Sequence, residues 1–219
     1  PEDVAEAAKS NLSLNCTLTD DIDLTGIDWT PIGIDHNHQY TGTFDGGSHT
    51  ITGLTVTGSN YYAGLFGFIG ENGTVKNVML KNVKIEGDDS GNVGGVTEWS
   101  YGGKIENCSV WGSVSHSGIN SYAGGAVGYQ ANGFLTGCSS SATVNAGNIA
   151  GGVAGGTNSA TLTGCYATGS VSGSGSGPVD VGGVTGINAC GTMTACYWGS
   201  NPDTGIGDKQ AGTTGGTEQ

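Results

Sequence analysis

Arginine is absent from this sequence, and six lysines are its only strong cations. Charged residues make up 11% of the chain, and the formal net charge is −13. Nucleic-acid binding needs a clustered basic surface to neutralise phosphates, so this balance excludes it. The same shortage argues against an anionic membrane surface. No apolar run reaches the roughly 18 residues of a membrane span, so membrane insertion is not expected. Without arginine there is no bidentate recognition of an acidic sugar. The stretch from Ala123 to Ser172 contains no Asp or Glu, so the paired carboxylates of a glycoside hydrolase cannot be placed there. No HExxH motif occurs, which removes a zinc-peptidase centre of that type. The chain as given opens at Pro1, and its first residues do not read as a leader peptide. The expectation is a processed piece of a longer protein.

What is present is glycine, 44 residues in 219, about three times the usual share. The glycines follow a repeat. Val78, Cys108, Cys138, Cys165 and Cys196 are separated by steps of 30, 30, 27 and 31 residues. Gly64, Gly94, Gly124, Gly151 and Gly182 are separated by the same steps. Two landmarks with one irregular spacing define a true internal repeat. Three residues before the cysteine column stand Val75, Ile105, Leu135, Leu162 and Met193, and immediately before it stand Asn77, Asn107, Gly137, Gly164 and Ala195. Upstream, "ITGLTV" continues the pattern, and Ile22 and Leu24 align with Leu54 and Val56.

Each repeat holds short Val- and Ile-rich segments with period-two alternation, divided by Gly, Asn and Ser. This predicts an all-β chain: a right-handed parallel β-helix with three strands per turn and about seven turns. Asn or Gly before the column suits a left-handed bend between strands. Residues 1–17 are expected to form an N-terminal cap, built on the helical stretch Glu2–Ser10. Residues 18–199 form the β-helix, and residues 200–219 a further cap or a linker.

"FDGGSHTITGLTV", then "YYAGLFGFIGENGTVKNVML", then GG-V and NC units ending in "CYWG", resemble the GLUG-repeat proteins. Those are bacterial surface and secreted proteins, many adhesin-like, and the repeat accompanies some immunoglobulin A metallopeptidases. The resemblance covers about residues 20–199. It implies a β-helix that displays or supports surfaces, at the cell surface or secreted. It brings no catalytic residues to carry over. Two departures stand out: "VGGVTEW" lacks the usual closing glycine, and Val78 stands where later repeats have cysteine.

The chemistry-bearing residues have competing readings. Val78, Cys108, Cys138, Cys165 and Cys196 would form one inward column, in which free cysteine acts as a small apolar filler. Neighbours about 4.8 Å apart also fall inside the Cα window of a disulfide. A linear column does not converge on a tetrahedral metal. The "DHNHQ" stretch brings His36 and His38 near Asp35, Asp45 and His49, either as a divalent-metal site or as an exposed loop. Asp20, Asp21, Asp23, Asp28 and the pair Asp88–Asp89 lack any calcium-loop spacing. Trp99, Tyr101, Trp111 and Tyr122 are the candidate ligand-binding residues, offering aromatic faces to a host glycan or surface protein. No cofactor or metal is expected. The function expected is non-catalytic binding or display, with a carbohydrate-active enzyme or a passive spacer as alternatives.

Overall fold

The computed structural model describes residues 2–57, 62–87, 91–119, 121–175, 179–199 and 202–209. Asp88, Asp89 and Tyr61 lie outside the described residues. The chain winds into a parallel β-solenoid whose strands stack turn upon turn. Every pairing between described strands is parallel, as in Thr43–Asp45 on Thr74–Lys76 and Thr74–Lys76 on Lys104–Glu106. The longest unbroken row holds seven strands, from Cys16–Thr17 to Thr192–Thr194, which makes about six turns.

The sequence reading gives three strands per turn; the structure has four sheets, of seven, ten, five and six strands. Two bends account for the difference. The residue before the column is left-handed in every repeat: Asn77 at φ 55°, Asn107 at 52°, Gly137 at 61°, Gly164 at 63° and Ala195 at 50°. This bend separates the seven-stranded sheet from the ten-stranded one. The second bend lies at the paired glycines. It splits each "VGGV" segment into a short strand such as Asn92–Gly94 and a longer one such as Thr97–Tyr101. The two halves join different sheets, five- and six-stranded.

The interior is a set of in-register columns. Phe44, Val75, Ile105, Leu135, Leu162 and Met193 are all buried and paired rung to rung. Each buried aliphatic of this size stabilises the fold by about 1.5–3 kcal/mol relative to exposure. Val56, Ile85, Val114, Val144 and Val171 form a second column. Val83 pairs with Gly112 at a register shift, so the ladder absorbs one residue there. At the start of the chain the expected alignment moves: Ile22 pairs with Ile51 and Asp23 with Thr52. Buried Ile51 supplies the apolar surface for Ile22, and Asp23 accepts the Thr25 N–H at 2.9 Å to turn the chain.

The helix Glu2–Ser10 is the one α-helix among the described residues. Ala8 is fully buried, and the Lys9 ammonium lies 4.9 Å over the Trp29 ring. The Leu12 carbonyl accepts the N–H groups of Thr41 and Gly42, and the Leu14 carbonyl accepts the Tyr40 hydroxyl at 2.8 Å. At the other end, Ile206–Lys209 pairs with Thr185–Ala189. The solenoid therefore runs past residue 199, the boundary drawn from the sequence.

Candidate functional site

The column residues Val78, Cys108, Cys138, Cys165 and Cys196 are buried, and the four column cysteines are unbridged thiols. Three of the thiols reach back one turn: Cys108 Sγ donates to Val75 O at 3.7 Å, Cys138 to Ile105 O at 3.3 Å and Cys165 to Leu135 O at 3.4 Å. Hydrogen bonds to the neighbouring thiol, then burial, push the Cys165 thiol up to about 12 and raise Cys138 and Cys196 as well. Thiols held protonated in an apolar interior are poor nucleophiles and poor ligands. The column is structural.

The "DHNHQ" side chains do not converge. His38 Nδ1 lies 2.9 Å from Asp35, His49 Nδ1 lies 3.4 Å from Asp21, and His36 meets Gln39 at 3.1 Å. Asp45 accepts from Asn77 Nδ2 at 2.9 Å and pairs with Lys76 at 3.2 Å. Among the described residues no group of three could hold a metal.

The four aromatic candidates divide. Trp99 and Tyr122 come together with two residues outside the four candidates, Phe68 and Tyr129. Phe68, Trp99 and Tyr129 occupy one outward register position of the six-stranded sheet. Phe68 and Trp99 stack at 6.0 Å and 12°, and Trp99 meets Tyr129 at 4.6 Å. Tyr122 leans across from the five-stranded sheet onto Tyr129 at 4.8 Å. A Cβ at Gly156 would meet the Tyr122 ring at 2.6 Å, so the bare glycine is what admits it. Contact with one another covers part of each ring and leaves less of it for a ligand to stack on. Tyr101 and Trp111 stand outside this stack; both are exposed, at 45% and 37%.

A polar groove of about 400 Å³ lies where the strands of the ten-stranded sheet end, lined by Glu86, Gly87, Ser115, His116, Ser117, Asn145 and Ser174. The register builds it. Glu86, Ser115 and Asn145 share one outward position on successive turns, and Gly87, His116 and Ala146 share the next. His116 Nδ1 accepts the Gly118 N–H at 2.9 Å, which places a neutral ring's proton on Nε2. Ser174 Oγ donates to Asn145 Oδ1 at 3.4 Å. Glu86 pairs with Lys84 at 3.2 Å, a half-exposed contact worth little by itself. One carboxylate, one imidazole, an amide and hydroxyls make a hydrogen-bonding surface without a second acid. The strand alternation places Glu86, Ser115 and Asn145 outward, while His116 is 3% exposed and shares the inward position of buried Ala146 beneath them.

No family model matches the chain. It is 40% identical to a protein of Evansella cellulosilytica described as "Putative Gly-rich membrane protein", over 42% of this chain and 12% of that protein. It is 37% identical to halomucin of Haloquadratum walsbyi, over 45% of this chain and 1% of that protein. The chain thus matches only small fractions of these relatives' lengths. A solved structure titled as a "putative immunoglobulin A1 protease" from Bacteroides ovatus superposes with TM-score 0.70 at 22% identity, covering 88% of this chain and 72% of that one. That likeness is one of fold. Among the described residues no helix is long and apolar enough to cross a membrane.

Proposed function

We propose that this chain is a non-catalytic binding and display module of an adhesin-like protein that is secreted or held at the cell surface. Its polar groove takes a polyhydroxylated ligand, a host glycan or the glycan of a surface protein. The observation that carries the reading is the groove itself: Glu86, Ser115 and Asn145 line up along the rod on successive turns, with Ser174 bonded to Asn145 beside them and the buried His116 ring beneath. Carboxylate and amide acceptors with hydroxyl donors suit sugar hydroxyls. A single carboxylate among the groove residues does not make the acid–base pair of a glycosidase. The glycine-rich and halomucin relatives support a surface setting.

Glycan-array binding of the wild-type chain, followed by titration of the best binder, tests this. Asn145→Ala and Glu86→Gln are expected to weaken binding by about five- to fifty-fold, as loss of one or two ligand hydrogen bonds would. No binder across a broad array would favour a passive spacer. Reducing-sugar release from a polysaccharide panel would overturn the non-catalytic reading.

A further inference from the structure

The strands on either side of each paired-glycine bend lie close against one another, and a glycine column makes that approach possible. Register places Gly128, Gly155, Gly186 and Gly207 in one column of the six-stranded sheet. A Cβ at Gly128 would sit 2.8 Å from Asn92 Cβ, at Gly155 2.8 Å from Ala123 N, and at Gly207 2.6 Å from Val181 N. The same column contains Glu98, between Thr97 and Trp99 on the neighbouring strand. One position built for hydrogen thus carries a carboxyl group.

That carboxyl is enclosed. Glu98 is 3% exposed, its Oε1 accepts the Asn92 N–H at 3.2 Å, and its Oε2 is buried without a partner among the described residues. Asn92 in turn accepts the Tyr122 N–H at 3.1 Å. Among the described residues no cation compensates. The flanking column positions are Gly67 and Gly128, and the facing strand offers Asn92 and Val93. The preceding strand's Lys84 and Glu86 pair with each other. Burial raises the neighbouring Tyr122 phenol above its ordinary value, and Asp180 stands three strands along the five-stranded sheet from Asn92–Gly94.

We propose that Glu98 is a proton-operated latch: neutral, it stays buried and holds strand Asn92–Gly94 against the six-stranded sheet; ionised, it leaves for water and the strand lifts. Burial pushes its acid constant from 4.5 to about 8, opposed only by the Asn92 hydrogen bond. The sign follows. In the lifted state the carboxyl titrates as in water, and in the closed state it stays protonated. Lifting therefore becomes easier as pH rises from about 5 to 8, by about tenfold per pH unit, and levels off above that. Release of Asn92 also frees the Tyr122 N–H and loosens the end of the aromatic stack.

Hydrogen exchange, corrected for its intrinsic base catalysis, reads this directly at the Asn92 and Tyr122 amides, with Val144 as an interior reference. Wild type is expected to show the tenfold slope at Asn92 and Tyr122, with much slower opening at Val144. Glu98→Gln is expected to lose the slope. Glu98→Gly, which restores the column, serves as the second variant and should lose it too. A flat wild-type profile, an unchanged slope in both variants, or opening at Asn92 equal to that at Val144 would each overturn the latch.

Discussion

At the scale of the residue, the cysteine column shows how little chemistry a cysteine-rich repeat need contain. Cys108, Cys138, Cys165 and Cys196 are buried filler, and Val78 does the same work at the foot of the column. Cys138→Val is accordingly expected to change stability by less than about 1.5 kcal/mol in urea unfolding, since the volume is conserved. A thiol reagent is expected to modify exposed Cys190 first and half-buried Cys16 more slowly, and the four column thiols only on denaturation. Fast reaction of more than two thiols in the native protein would contradict the buried column. This part was legible in advance, because a 30-residue spacing with valine as an alternative filler already says "interior". Glu98 was legible only as a departure, a missing glycine in "VGGVTEW". Trp99 and Tyr122 were visible as aromatics, but their mutual cover was not. It depends on Phe68, Tyr129 and the bare Gly156, which meet only once the register is fixed.

At the scale of the element, glycines at two kinds of position have different roles. Gly164 sits at φ 63° with nothing within 4 Å of a Cβ, and Asn77 and Asn107 occupy the same bend. Gly164→Asn is expected to leave the melting temperature nearly unchanged, because asparagine tolerates the left-handed region. Gly155 has an ordinary φ but faces backbone atoms on both sides, with Gly128 O at 2.7 Å from a Cβ and Ala123 N at 2.8 Å. Gly155→Ala is expected to cost about 1–3 kcal/mol by overpacking, measured by the same urea unfolding. The paired glycines were found as landmarks from spacing alone. Their consequence, a second bend that gives four sheets instead of three, was hidden because periodicity reports which residues are equivalent and says nothing of how sharply the chain turns between them.

At the scale of the whole molecule, the rod is closed at its first turn by Glu2–Ser10 and the segment that follows it. Tyr40 is fully buried and bound to Leu14 O, and Leu12 O accepts two N–H groups from Thr41 and Gly42. Deletion of residues 1–14 uncovers that end and its strand edge. The truncated chain is expected to self-associate in size-exclusion chromatography, as open parallel edges do. An elution profile like that of the intact chain would show that the edge is protected by the strand Cys16–Thr17 alone.

The bends, columns and groove positions recur at the same place in each turn, and the hydrogen bonds above a turn match those below it. Unequal crossing-over between two repeats in the gene would therefore add or remove one complete coil in frame, with its own filler, bend and outward rung. Reach and outward surface would change together in steps of about 4.8 Å, so the length of such a rod is a quantity that inheritance can adjust without redesigning the fold.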